Sequence, residues 1–204
     1  EMICNEVTDS NCLAIRVDDD RYSDWDSFAA YWKQAGSLIT SASGLGITSD
    51  DATADMLVAN DLGVDVDIIA SGGSGDNVTF LLNGTTDFLM GNVSEMVAAH
   101  NDGQFKILCV FAEERDSNLP DVPTYEELTG NLVVGCSSRG YAMLKDVPDD
   151  IKQIIGDAVK AAVQDPDLIE QLNAIYTTTD YKEGQEYVDY MNQQQQQARE
   201  TWGV

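Results

Sequence analysis

Three short stretches hold the residues best suited to chemistry. Residues 41–48, Ser-Ala-Ser-Gly-Leu-Gly-Ile-Thr, set hydroxyls at Ser41, Ser43 and Thr48 around Gly44 and Gly46, just before Ser49-Asp50-Asp51. Glycine lets the backbone come close to a ligand, and a helix N-terminus offers unbonded N–H groups at the positive end of a dipole. The chemistry this favours is holding a carboxylate or a phosphate, with no bond made or broken. The plainer alternative is a tight strand-to-helix turn without a ligand. Gly44-x-Gly46 lacks a third glycine at the dinucleotide spacing and no Gly-Lys-Ser/Thr follows, so nucleotide binding has no support. Two further stretches, 71–75 (Ser-Gly-Gly-Ser-Gly) and 91–94 (Gly-Asn-Val-Ser), have the same small polar character.

Catalysis has poorer raw material. His100 is the single histidine, beside Asn101-Asp102-Gly103. The nearest approach to a serine nucleophile elbow, Gly72-Gly73-Ser74-Gly75-Asp76, fails at its last position. Cys136 or Cys109 with His100 would make a thiol pair, but Cys109 lies in the apolar run 107–111 and reads as core. Cys4, Cys12, Cys109 and Cys136 show neither the CxxC spacing of zinc sites nor the density of a disulfide scaffold, and a pairing of Cys4 with Cys12 stays open. Asp18-Asp19-Asp20 invites a cation, yet it lacks an EF-hand glycine and distal glutamate and reads as a solvated turn. The expectation is a binding protein rather than an enzyme, with no metal and no cofactor.

The elements that position these stretches follow a rhythm. Residues 12–17 read as a strand. Trp25, Phe28, Ala29 and Trp32 fall at helical spacing behind Ser23 or Asp24, as core anchors. Strands at 38–42, 64–69, 87–90 and 106–111 alternate with helices at 52–60, 76–82 and 94–100. Strand, small-residue loop and helix in repetition predict an α/β domain with a parallel sheet covered by helices. In such sheets ligands sit at the carboxyl ends of strands, where all three polar loops fall. Beyond Glu113 the pattern loosens. A proline-bearing connection leads to a short helix at 125–128, a strand at 132–135 and an extended piece at 137–142. Pro148 then opens a helix with the apolar stripe Ile151, Ile154, Ile155, Ala158, Val159, Ala162 and Val163. Asp165-Pro166 interrupts it, and a last helix is expected over 181–202.

The 204 residues carry 36 acidic against 11 basic side chains, a formal net charge of −25. Such a surface repels nucleic acid and anionic lipid and favours solubility. Exposed charges are screened beyond about 8–10 Å at physiological salt, so a helix terminus in a closed cleft could still hold an anion. No apolar run approaches a membrane span. The start, Glu1-Met2-Ile3-Cys4, shows no signal peptide, so the chain reads as processed or as beginning inside a longer protein.

Several segments, in order, resemble the substrate-binding proteins of tripartite tricarboxylate transporters, the Bug family. They are Ser43-Gly44-Leu45-Gly46, Gly72-Gly73-Ser74-Gly75, Gly91-Asn92-Val93-Ser94-Glu95 onward to His100, Glu113-Glu114-Arg115, Leu119-Pro120-Asp121-Val122-Pro123-Thr124, Arg139-Gly140 and Asp165-Pro166. The resemblance implies a two-lobed, periplasmic-binding-protein type II-like fold that closes on a small carboxylate and delivers it to membrane permease subunits. Residues 12–136 would form the second, complete lobe and 137–204 a segment of the first, whose glycine-rich N-terminal part is absent. The ligand would be held by Ser41, Ser43, Gly44, Gly46 and Thr48, with Ser71, Gly72, Gly91 and Asn92 lining the same mouth. The implied location is periplasmic or otherwise extracytoplasmic, a lipid anchor on the precursor included, and the chain itself does not span the membrane. Asp50 stands where many members have histidine, and Ala70-Ser71 where many have Tyr-Lys, which points to a smaller acid than a tricarboxylate. The rival readings are a ligand-free sensor or interaction domain and a thiol hydrolase using Cys136 and His100.

Overall fold

The aromatic side chains of the first helix decide where the core lies. In the computed structural model, which describes residues 1–44 and 49–204, α1 (Trp25–Ala35) starts at Asp24, whose carboxylate accepts the Ser27 N–H while Ser27 Oγ accepts the Asp24 N–H. This reciprocal cap satisfies two donors that a helix start leaves open. The helix stops at Gly36, where φ is +84°. Trp25, Phe28 and Trp32 all face inward, and Phe28 and Trp32 meet the ring of Phe88 at 5.5 and 4.8 Å. Each such side chain contributes about 1.5–3 kcal/mol by leaving water. Tyr125 closes the cluster against Trp25 and Phe111.

The chain divides into two compact units, the larger being residues 10–136 with 201–204. It contains the C-terminal half of β1 (Met2–Arg16), then β2 (Ser37–Ala42), α2 (Asp50–Leu62), β3 (Asp65–Ala70), α3 (Ser74–Leu82), β4 (Leu89–Asn92), α4 (Val93–Asn101), β5 (Phe105–Val110) and α5 (Tyr125–Thr129). β2 and β3 pair in parallel from Ser37↔Asp65 to Ala42↔Ala70. β1 runs antiparallel between β4 and β5, so those two run the same way. The alternating α/β architecture expected from the loop-and-helix rhythm is present, but not as one parallel sheet: β2 and β3 form a parallel pair of their own, and in the separate larger sheet β4 and β5 pair antiparallel with β1. Asn11 N–H donates to Gly135 O and Gly135 N–H to Phe111 O, so 132–135 is tied to its neighbours without forming the regular strand its apolar run suggests.

The smaller unit, residues 1–9 and 137–200, holds the start of β1 with β6 (Cys136–Ala142), α6 (Asp149–Ala162), α7 (Pro166–Ala174), β7 (Thr179–Glu183) and most of α8 (Gly184–Trp202). The region expected as one helix from 181 opens as a strand: Thr179 and Tyr181 are β-formers, and β7 pairs antiparallel with β1 at Cys4↔Glu183 and Asn5↔Lys182. The same pairing explains why β1 begins at Met2 rather than Cys12. Gly140 lies so close that a Cβ there would stand 2.5 Å from Cys4 O and 2.6 Å from Tyr187 Oη. The apolar stripe of α6 does not meet a core, since Ile151, Ile154 and Ile155 remain exposed. Lys152 is the buried residue of that helix, bonded to Glu1 at 2.6 Å. Among the described residues no helix is long and apolar enough to cross a membrane.

Candidate functional site

The larger unit gathers the carboxyl end of β2, the starts of α2 and α3, and the end of β4. Ser49 begins α2: its side chain accepts the Ala52 N–H at 3.2 Å, and its φ of −104° belongs to extended backbone. That cap turns Asp50 and Asp51 into the first turn of the helix, where the dipole favours negative charge. Gly44 has a φ of +123°, a region that glycine tolerates and L side chains rarely adopt. It lets the chain leave β2 sharply, with Gly44 N–H donating to Ala42 O at 2.8 Å.

The expected binding residues fall as follows. Ser41 is fully buried on β2 and its Oγ has no hydrogen-bond partner among the described residues. Ser43 donates its backbone N–H to the carboxylate of Asp51, and its Oγ accepts from Asn77 Nδ2 at 3.3 Å. Ser71 donates both N–H and Oγ–H to Ala42 O, at 3.0 and 3.1 Å, which ties the β3 loop to the β2 loop. The Gly72 N–H is taken by Asp76 Oδ2 at 3.0 Å. Gly91 pairs with Cys12, and a Cβ on it would stand 2.7 Å from Met96 Sδ. Asn92 is the N-cap of α4 and donates to Asp50 Oδ2 at 3.4 Å. Gly46 and Thr48 lie outside the described residues. Hydrogen bonds therefore join the β3 loop and the start of α3 to the β2 end, and the β4 end to the start of α2.

Sequence reasoning passed over the residues at the centre of this network. Asn11 on β1 is fully buried, and its Nδ2 lies 3.3 Å from both Asp50 Oδ2 and Asp51 Oδ1. Asp51 and Asp55 are buried one turn apart on α2, and Asn77 is buried at the start of α3. A signal existed: Asp51, Ala54, Asp55 and Val58 share one 3–4-spaced face, so two aspartates sit where a helix buries apolar residues. Burial pushes the Asp51 carboxyl up to about 7, helped by the charges of Asp50 and Glu95 and opposed by the Ser43 N–H. Burial, then the neighbouring Asp51, also holds the Asp55 carboxyl well above the ordinary carboxylate range.

The rival chemistries have less to work with. His100 Nδ1 accepts the Ile107 N–H at 3.2 Å, a structural bond at the end of α4. Burial pushes the Cys109 thiol up, the wrong direction for a nucleophile. Among the described residues no disulfide joins the cysteines, Cys4 and Cys12 included. The triple aspartate is not simply a solvated turn. Asp19 is nearly enclosed and held by Arg21 at 2.7 Å, which lowers its carboxyl to about 2. No group of three acidic, histidine or cysteine side chains among the described residues could hold a metal ion.

Comparison with known proteins bears on this geometry. The model of the tripartite tricarboxylate transporter family receptor matches residues 1–201. A UPF0065 protein from the TAR-I ttuE–ttuC' intergenic region of Agrobacterium vitis is 27% identical over 154 residues, which is 74% of this chain and 43% of that protein. The chain thus spans less than half the length of this curated relative. MatC of Rhodopseudomonas palustris, solved with bound malate, superposes with a TM-score of 0.76 at 23% identity, covering 98% of this chain and 67% of MatC. A second R. palustris protein, solved with adipate, superposes at 0.83 with 17% identity, covering all of this chain and 68% of that one. At these identities the two structures speak for the fold.

Proposed function

This chain belongs to the tripartite tricarboxylate transporter receptor family, and from that premise we propose that it is an extracytoplasmic solute-binding protein that captures a small organic acid for its transporter's permease subunits. The observation that carries the reading is that the β3 side is bonded to the β2 end through Ser71 to Ala42 and Asn77 to Ser43, while the β4 end is bonded to the start of α2 through Asn92 to Asp50. Ligands of α/β sheets sit at such carboxyl ends. The amides of Ser43 and Gly72 already take carboxylate oxygens, those of Asp51 and Asp76. An incoming acid would compete for the same donors, with Ser41, Gly44, Gly46, Thr48, Gly91 and Asn92 around it. Malate and adipate, present in two relatives of this fold, are both small carboxylates.

Calorimetric titration with mono-, di- and tricarboxylates at two salt concentrations tests it. The expected result is binding of one acid class at micromolar affinity, about −8 kcal/mol, weakened at least tenfold by Asn92→Ala and unchanged by Thr124→Ala. Absence of heat with every acid would move the assignment to a ligand-free interaction domain.

A further inference from the structure

Residues 201–204 group with 10–136, and they bring one side chain of α8 onto α2. Trp202 Nε1–H donates to Thr53 Oγ1 at 3.1 Å. The Thr53 hydroxyl in turn donates to Ser49 O at 2.7 Å, beside the Thr53 N–H, which reaches the same carbonyl at 3.0 Å. An indole N–H donates and never accepts, so it takes a lone pair of the hydroxyl and leaves the hydroxyl proton for Ser49. Threonine in a helix divides between two rotamers, because its hydroxyl can bond a carbonyl of the preceding turn. The indole selects the rotamer bonded to Ser49, and hydrogen bonds in such a chain strengthen one another away from water. Thr53 and Trp202 are both half-buried.

Ser49 is where these bonds end and the site begins. Its Oγ accepts the Ala52 N–H at 3.2 Å, and its Cβ lies 3.9 Å from where a Cβ on Gly44 would stand. It therefore sits against the turn that leaves β2. The next residue, Asp50, accepts from Asn92 at 3.4 Å and from Asn11 at 3.3 Å. A shift of Ser49 displaces the β2 turn against the β4 end. The other two indoles serve the fold: Trp32 donates to Asp65 O at 2.8 Å, and Trp25 packs on Tyr125.

We propose that Trp202 is a positioning residue of the ligand site, acting through the Thr53 hydroxyl on Ser49. The inference rests on the binding site proposed above and adds to it a side chain 149 positions from Thr53 in the sequence. Acetate, malate, adipate and citrate are titrated by calorimetry into the 204-residue chain and its variants. For the acid bound tightest, Trp202→Phe, which keeps a ring and loses the donor, should weaken binding about fivefold, the size of one lost hydrogen bond. Thr53→Val should weaken it equally, and Thr53→Ser should preserve it. The variant carrying both Trp202→Phe and Thr53→Val should match either single one to within about twofold, because the two groups act as one. A contact that only supports the fold would lower unfolding midpoints and leave the affinity of the folded protein unchanged. Nuclear magnetic resonance reads the indole N–H signals of the three tryptophans separately. The acid should shift the Trp202 signal, identified as the one displaced in Thr53→Val, and leave that of Trp32 in place. This readout needs no change at Trp202, so it decides the matter should Trp202→Phe fail to fold. Unchanged affinity in Trp202→Phe, losses that add in the double variant, or an unmoved Trp202 signal overturns the inference and leaves the receptor reading intact. No heat from any of the four acids overturns the receptor reading and the inference with it.

Discussion

Asp51 accepts hydrogen bonds from Asn11 and from the Ser43 amide, yet its carboxyl is pushed up to about 7. Against an ordinary value of about 3.9, the folded state holds this proton more tightly than the unfolded chain does. The stability it contributes is therefore complete below about pH 4 and is lost as the pH rises through 7. Asp55, also raised by burial and by Asp51, adds to the same trend. The lowered carboxyls act elsewhere: Asp19, at about 2 beside Arg21, contributes stability that is lost only as the pH falls towards 2. Urea unfolding should show stability falling between pH 5 and 8, by up to about 1.4 kcal/mol per pH unit for each group. Asp51→Asn should flatten that slope and raise stability at pH 8. A wild-type protein equally stable at both pH values would mean that the pair is neutralised by something other than its own protons. Gly135 is coupled to this centre, since a Cβ on it would stand 2.8 Å from Asn11 Oδ1 and 3.2 Å from Ala54 Cβ. Gly135→Ala should then disturb ligand binding as well as stability.

At the scale of elements, two helix starts separate what supports the site from what supports the fold. Ser49 caps α2 directly below Asp50 and Asp51, whereas Thr124 caps α5 through a reciprocal bond with Glu127. Ser49→Ala and Thr124→Ala should each cost about 1 kcal/mol in chemical denaturation. The Ser49 variant alone should weaken ligand binding, and comparable losses from both would detach the site from the start of α2. The helix α1 with its Trp25, Phe28 and Trp32 could be read from the sequence because local spacing determines it, whereas the loop expected at 91–94 is the end of β4 running straight into α4. What local spacing does not encode is pairing between distant strands. Thr179 and Tyr181 lie in a strand because β1 offers its edge there, and Asn11 sits at the centre of the site because β1 runs between β4 and β5. Asn11 stands on no loop and in no motif, so it became visible only with that topology. Ile151, Ile154 and Ile155 show the opposite failure: the amphipathic pattern predicted the helix correctly, but not the exposure of its apolar face.

Taken over the whole molecule, charge and core are unevenly matched. With a formal net charge of −25, self-repulsion among carboxylates works against compactness, and raising NaCl from 0.05 to 1 M should lift the unfolding midpoint as screening tightens. A midpoint that falls instead would mean that ion pairs such as Arg21–Asp87 outweigh the repulsion. The cores of the two units differ more sharply. Residues 10–136 bury Trp32, Phe28, Phe88, Phe105, Phe111 and Tyr125, whereas the unit of 1–9 and 137–200 buries Cys4, Val7, Val163 and Tyr187 as its apolar residues. Buried apolar area is the main favourable term in folding, and local opening is easiest where it is least. Amide hydrogen exchange on the intact chain reads this unit by unit. Amides of α1 and β5 should exchange slowest, near the limit set by global unfolding. Those of α6 and α7 should exchange at least a hundredfold faster, since each 1.4 kcal/mol of missing protection is a factor of ten. Protection in α6 equal to that in β5 would mean that its isoleucine face is covered in solution. The fast-exchanging result would instead identify α6 and α7 as the part of the chain whose order depends least on its own buried contacts.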